Sequence, residues 1–182
     1  EAWDPAWRLA VHDGVVKDTS TLETPPVNRI ITPITILEDH GTTVVFTPSG
    51  SVWDGRFCNN GWLQEIPDTI TKLTWDNAAV MSPKTAKQLG VKQGDLLSVA
   101  AGSNTLEIAA LPVPGTADDV VVLPLGYGRT FKGHVCTDAG VNVYPLRNSK
   151  DPWVDSVVFS PTGKTYPLAT TQTHFGIDTT PG

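Results

Sequence analysis

The stretch VKQGDLLSV, residues 91–99, sets a tight turn directly against a strand. Gly94 supplies the backbone freedom for the turn, and the Asp95 carboxylate can bond neighbouring amides. Upstream, Ser82-Pro83 and KTAKQLG predict a short helix that closes at Gly90. Downstream, Gly102-Ser103-Asn104 turns the chain, and TLEIAALPV, residues 105–113, is predicted to return antiparallel to the first strand. Pro114-Gly115 turns it again into DVVVLPLG, residues 119–126.

Further out, ITPITILED (31–39) and TTVVFTPS (42–49) are β-branched runs around Asp39-His40-Gly41, a hairpin-like pattern. The tail from Asp151 predicts one strand, a hairpin at Pro161 to Gly163, and a polar end. Asp4-Pro5, AWRLAVHD and Gly14 predict a short helix with cap, first-turn proline and left-handed stop. Residues 18–33 are polar and proline-bearing, which predicts a linker or surface excursion. Residues 50–75, GSVWDGRFCNNGWLQEIPDTITKLTW, show no sustained period and read as a long loop. Trp53, Phe57, Trp62, Leu63 and Ile66 make it too apolar for disorder; the expectation is ordered and packed, with Trp62 and Trp75 as core anchors. Six or more short strands without repeated βα alternation predict a mainly β chain closed into a small barrel.

Bulk properties narrow the function classes. The 182 residues are 40% hydrophobic, enough for one domain with a core. A formal charge of −6 argues against a general nucleic-acid surface. No apolar run approaches the ~20 residues needed to cross a bilayer, so the chain is not expected to span a membrane itself. The opening EAWDPAW lacks an initiator Met and a leader pattern, which predicts a piece of a longer protein. Cys58 and Cys136 are too few for a disulfide scaffold and wrongly spaced for a zinc knuckle.

LPLGYGRTFKGHVCTDAGVNVYPLR, residues 123–147, begins as a buried strand and becomes a glycine-rich, locally basic, amide-bearing loop. Gly126-Tyr127-Gly128 can be a barrel corner or a backbone cradle. Arg129 can make a surface ion pair or bind an anion, and Asn59-Asn60 can be turn residues or amide ligands. Cys58 and Cys136 lie in the two long loops. Two readings stay open for them: a disulfide between the loops in an exported chain, or a metal corner with His134 that lacks a visible fourth ligand. No GxSxG, HExxH, P-loop or paired-carboxylate motif is present, and Asp118-Asp119 reads as a solvated turn.

VKQGDLLSV resembles the GD box of double-psi β-barrels. Around it, residues 54–95 are similar to the C-terminal dinucleotide-binding domain of molybdopterin oxidoreductases. NNGWLQE, LTWDNAA, LGYGRT and GVNVYPLR occur in the order seen in one branch: the large iron–sulfur, Tat-variant-translocated subunit of bacterial alternative complex III. The resemblance covers about residues 40–175. It implies a six-stranded double-psi β-barrel over 34–150, preceded by a helix and linker at 1–33 and followed by a strand, hairpin and polar tail at 151–182. It also implies a site for molybdopterin guanine dinucleotide. Gly126, Tyr127 and Gly128 would be a pyrophosphate cradle, Arg129 and Lys132 its cations, and Asn59, Asn60, Asn77 and Asn142 amides for a guanine or pterin edge.

That branch is understood to keep the fold without the pterin. It therefore implies a non-catalytic scaffold, with no cofactor expected in this fragment. The parent would be a periplasmic-face electron-transfer subunit whose iron–sulfur clusters lie elsewhere, partnered by its own other domains and respiratory subunits. Two alternatives are a genuine cofactor-binding domain of an active molybdenum oxidoreductase, and a self-processing double-psi decarboxylase cleaved at Gly50-Ser51 or Gly102-Ser103.

Overall fold

A computed structural model describes residues 4–19, 41–130, 134–147 and 154–171. The chain divides into two units, Glu1–Glu38 and Asp39–Gly182. In the first, α1 spans Pro5–Asp13 with the predicted punctuation. The Asp4 carboxylate accepts from the Ala6 amide, Pro5 opens the first turn, and Gly14 at φ 69° ends it. Most of the 18–33 linker and the first run of the 31–49 hairpin lie outside the described residues.

The second unit is built on one sheet of seven strands: β1 Thr43–Thr47, β2 Ala79–Met81, β3 Asp95–Ala101, β4 Asn104–Pro112, β5 Val120–Pro124, β6 Val154–Ser156 and β7 Val158–Thr165. Their order is β6-β1-β5-β2-β4-β3-β7. The predicted β3–β4 hairpin forms, with Leu97 opposite Ile108 and Ala101 opposite Asn104 across the Gly102-Ser103 turn. β1 runs parallel to β5, and β2 parallel to β4, so the local hairpins are interleaved by long-range parallel pairs. Between β2 and β3 sits α3, Pro83–Leu89, capped by the Ser82 hydroxyl on the Thr85 amide and stopped by left-handed Gly90.

Two expectations are corrected here. The sheet has seven strands, within the six or more expected, but the expected barrel is not closed: no pairing joins β6 to β7 among the described residues. Only Val157 separates these two edge strands, however, so their ends lie within about two Cα steps, ~7.6 Å, of each other. The two edge strands are thus consecutive in the chain, and the sheet between them is not closed. Second, Pro161 to Gly163 makes no hairpin. It lies inside β7, where the pairing shifts from Leu97↔Pro161 to Asp95↔Thr165. Proline and glycine at a sheet edge produce an irregularity rather than a turn, because the outward side of an edge strand needs no amide donor.

β1 and β5 bury alternate residues, the period-2 pattern of one wet and one dry face. Their inward residues Phe46, Val44, Val121 and Leu123 join Met81, Leu97, Ile108, Leu125 and Leu146 in the main core. The outer face of the central strands is covered separately by Leu73, Val80, Leu111 and partly buried Leu168. β2 is thus buried on both faces, which explains its unbroken apolar run.

Leu97→Ala is expected to cost about 2–5 kcal/mol in urea unfolding, because it opens a cavity in the main core. Pro161→Ala, at the β7 edge, should stay within about 0.5 kcal/mol of the parent. Equal costs would show that the core is not where the structure places it.

Candidate functional site

Two excursions leave the same end of the sheet and interlock. β5 exits through Leu125, whose amide donates to the Thr47 carbonyl at 2.8 Å, which keeps it beside the exit of β1. Gly126 then turns at φ 98° directly against residues 52–55. A Cβ there would lie 2.7 Å from the Gly55 nitrogen and 2.8 Å from the Trp53 oxygen. A Cβ on Gly128 would overlap the Asn142 and Val141 backbone. These glycines are required because protein backbone occupies the space a side chain would need.

The returning limb is pinned by one side chain. Asn77 is 2% exposed, and its Nδ2 donates to the Pro124 carbonyl at 2.9 Å and to the Val141 carbonyl at 3.0 Å. Its Oδ1 accepts from the Val141 amide at 2.7 Å. The amide predicted as a ligand is thus spent on joining the β2 entry, the β5 exit and the 139–143 limb. Asn60 is likewise engaged as the cap of α2, Gly61–Glu65, accepting from the Trp62 and Leu63 amides. Asn59 Oδ1 accepts from the Val135 amide at 3.2 Å, tying the first excursion to the second.

What remains open is a cleft of about 280 Å³ lined by Asp54, Gly126, Tyr127, Arg129, Asn142 and Tyr144. It brings together four of the predicted residues: Gly126, Tyr127, Arg129 and Asn142. Arg129 is exposed, and it makes no ion pair among the described residues. Exposed Asn142 uses its Oδ1 on the Tyr144 amide at 3.1 Å. Lys132 lies outside the described residues. Tyr144, whose hydroxyl donates to the Asp54 carbonyl at 2.6 Å, was not predicted, nor were Asp54, Arg56 and Arg147. Tyr144 and Arg147 were within reach, since they stand in the quoted GVNVYPLR. The Arg147 guanidinium lies over the Tyr144 ring, 5.4 Å from its centroid.

Three acidic residues near the motifs are engaged by their own neighbours. Asp54 is gripped by Arg56, Nε at 2.9 Å and Nη2 at 2.7 Å, which holds its carboxyl down to about 2 and cancels its charge locally. Asp68 is turned into its own loop, accepting from the Ile70 and Thr71 amides. Asp76 accepts from the Asn77 amide, and burial holds its carboxyl above the usual range. Around Tyr144, burial and then Asp54 push the hydroxyl up, while Arg147, Arg129 and Arg56 pull it down. Of these three guanidinium groups Arg129 lines the cleft, while Arg56 pairs with Asp54 and Arg147 lies over the Tyr144 ring.

A larger, mostly apolar cavity of about 470 Å³ opens on the other side of Tyr127, among Thr47, Ser49, Leu73, Val80 and Val113. Tyr127 is the wall between the two, its hydroxyl near Ser49 Oγ at 3.4 Å. The first excursion also corrects the packing expectation. It is ordered, yet Trp62 is 82% exposed, with Trp53, Phe57 and Ile66 each about half exposed, while Gln64 takes the buried face of α2. Trp62 is not a core anchor, and Trp75 is only half-buried.

Residues 63–166 match the family model described as Molydopterin dinucleotide binding domain. The chain belongs to this family. The match includes Asn77, the glycine turn, Arg129 and Asn142, and leaves Asn59, Asn60 and Asp54 outside. The thiosulfate reductase molybdopterin-containing subunit of Salmonella typhimurium is 33% identical over 69 residues, 38% of this chain and 9% of that protein. A tetrathionate reductase subunit of Archaeoglobus fulgidus is 32% identical over 68 residues, 37% of this chain and 5% of that protein. The chain's match thus spans a small fraction of either relative. Among solved structures, acetylene hydratase from Pelobacter acetylenicus aligns over 56% of this chain and 14% of that one, at 18% identity and a TM-score of 0.39.

Within this molybdopterin dinucleotide-binding domain, the donor set suits one end of a dinucleotide. At about 280 Å³ the cleft falls just below the ~300–1,000 Å³ usual for a whole small ligand. A guanidinium with no ion pair among the described residues and an exposed amide suit a phosphate and a base edge respectively.

Asn77→Ala is expected to lower stability by about 2–4 kcal/mol, because it strands two carbonyls and one amide at once. Asn77→Asp should not rescue it, since the acid cannot donate to Pro124 and Val141. Urea unfolding of either variant within about 0.5 kcal/mol of the parent would show that the limb is held by something else.

Proposed function

We propose that this domain is a non-catalytic scaffold in a larger molybdoenzyme-related electron-transfer subunit, docked against another domain of the same polypeptide through residues 53–70. The observation that carries the reading is the exposure of Trp53, Phe57, Trp62, Ile66 and Ile70 along one stretch of chain, from 50% to 82% each. Trp62 and Ile66 stand one helical turn apart, with the Ile66 amide donating to the Trp62 carbonyl. Large apolar groups left in water forgo roughly 25 cal/mol per Å² of burial, and clustered exposure of this kind marks an interface. A covering domain accords with the small share of its relatives that the chain spans.

The finer assignments rest on the residues of the motifs. The Gly94-Asp95 turn, the two interleaved parallel pairs and the meeting of β6 with β7 favour a double-psi barrel in the assembled parent. The order of NNGWLQE, LTWDNAA, LGYGRT and GVNVYPLR favours the alternative complex III branch, and with it a periplasmic face and iron–sulfur clusters in another region.

A second reading is favoured by Arg129 at the cleft, which makes no ion pair among the described residues. Here the domain would hold the nucleotide end of molybdopterin guanine dinucleotide, which when bound supplies the molybdenum centre for electron exchange. Arg129 would pair with the pyrophosphate, and the Asn142 amide would read a base edge. The interlocked Gly126 and Gly128 would keep Arg129 over the cleft, and the Asp54–Arg56 pair would leave the pocket without net negative charge.

Elemental and nucleotide analysis of the full-length protein separates the two. The scaffold reading expects neither molybdenum nor releasable guanine nucleotide. Stoichiometric amounts of both would overturn it, and Arg129→Ala would then lower occupancy by about tenfold or more.

Docking has its own check, limited proteolysis of the full-length protein. Trp62→Ser should speed release of this domain while leaving the stability of the 182-residue chain within about 0.5 kcal/mol. Unchanged release, with a destabilised chain, would place Trp62 in the fold instead of the interface.

A further inference from the structure

Cys58 and Cys136 come from the two separate excursions and share a cluster with Tyr127, which lines the cleft. Both are buried, at 2% and 4% exposure, in a small cluster with Val52 and partly buried Tyr127. They pack within one buried cluster, and neither is bridged. The contact does not depend on loose side chains, because both backbones are held. The Cys58 amide donates to the Gly55 carbonyl, and the Cys58 carbonyl accepts from Gln64 Nε2 at 2.9 Å. On the other limb, Arg129 bridges Thr137, and the Gly128 amide donates to the Ala139 carbonyl at 2.7 Å. His134 does not complete a metal site: no group of three or more His, Cys, Asp or Glu that could hold an ion occurs among the described residues.

We propose that Cys58 and Cys136 are a thiol–disulfide site, oxidised by a small-molecule disulfide to a bond that locks the two walls of the cleft together. The balance is that of thiol–disulfide exchange. One protein thiolate attacks the oxidant, forming a mixed disulfide and expelling one thiol. The second protein thiolate displaces the other thiol and closes the Cys58–Cys136 bond. Two electrons and two protons pass to the oxidant, whose sulfur–sulfur bond is reduced. In the dithiol form the walls are joined by hydrogen bonds such as Asn59 to Val135; in the disulfide form they cannot separate. Because the cysteines are far apart in the chain, the bond closes a long loop, where restriction of the unfolded state is greatest. Burial, then the neighbouring thiol, push Cys58 above the ordinary thiol range against the opposing pull of Arg129. Exchange in the folded chain is therefore slow, and refolding in the oxidant gives faster access.

The test refolds the 182-residue chain in graded mixtures of oxidised and reduced glutathione, quenches with an alkylating agent, and measures intact mass and linked peptides. The expected product is a monomer lighter by two hydrogen atoms, refusing alkylation and yielding a Cys58–Cys136 peptide. Its urea midpoint should rise by about 1 M or more and fall back on reduction. Cys58→Ser should abolish both the mass loss and the shift; if that variant does not fold, Cys136→Ala serves the same purpose. Two thiols alkylated in every mixture, disulfides only between molecules, or a bond that leaves the midpoint unchanged or lowered would each overturn the lock.

Discussion

Three hydrogen bonds from the Asn77 side chain hold this structure's working end together. Its amide joins residues that are local to nothing else: the exit of β5 at Pro124 and the returning limb at Val141. Backbone groups in a non-repetitive limb have no ladder to satisfy them, so a buried amide with two donors and an acceptor substitutes for a missing strand. With that limb in place, Gly128 can pass flush against Asn142, Gly126 can lie against Gly55, and exposed Arg129 lines the cleft.

The cleft's charge follows from the same economy of space. Its lining includes one glycine and two tyrosines, and the charged groups that line it are Asp54 and Arg129. Arg56 neutralises Asp54, Asp68 serves its own turn, and Asp76 is buried against Asn77. Asp54 being paired, Arg129 is left as the lining group with no ion pair among the described residues, in a chain whose overall charge is −6. Global charge is a poor guide here, because a focused local field depends on which carboxylates are paired or turned away.

Glycine-rich turns invite a reading as ligand cradles, and here they serve first to let two protein loops interlock. Both uses need a missing Cβ, and they differ only in what fills the space. Asn59, Asn60 and Asn77 pose the same ambiguity: an amide looks identical in sequence whether it faces a nucleobase or a backbone. Trp62 shows the converse problem. Its size suggests burial, yet the helix it sits on buries Gln64 and turns the indole outward. Helical phase, and the surface of whatever domain lies opposite, decide that outcome.

Local chemistry determined much from the residues alone. The caps at Asp4 and Ser82, the left-handed stops at Gly14 and Gly90, and the β3–β4 hairpin each depend on neighbours a few positions away. Two other features needed the folded chain. Which strands pair in parallel, and that β6 and β7 flank opposite ends of the ladder while their ends meet at Val157, depend on contacts between distant segments with no sequence period. Whether Asn77 faces a ligand or a loop, and whether Cys58 reaches Cys136, depends on the same long-range placement. Turn and cap signals act over single turns of chain, whereas a cleft is a relation between segments that only packing brings together.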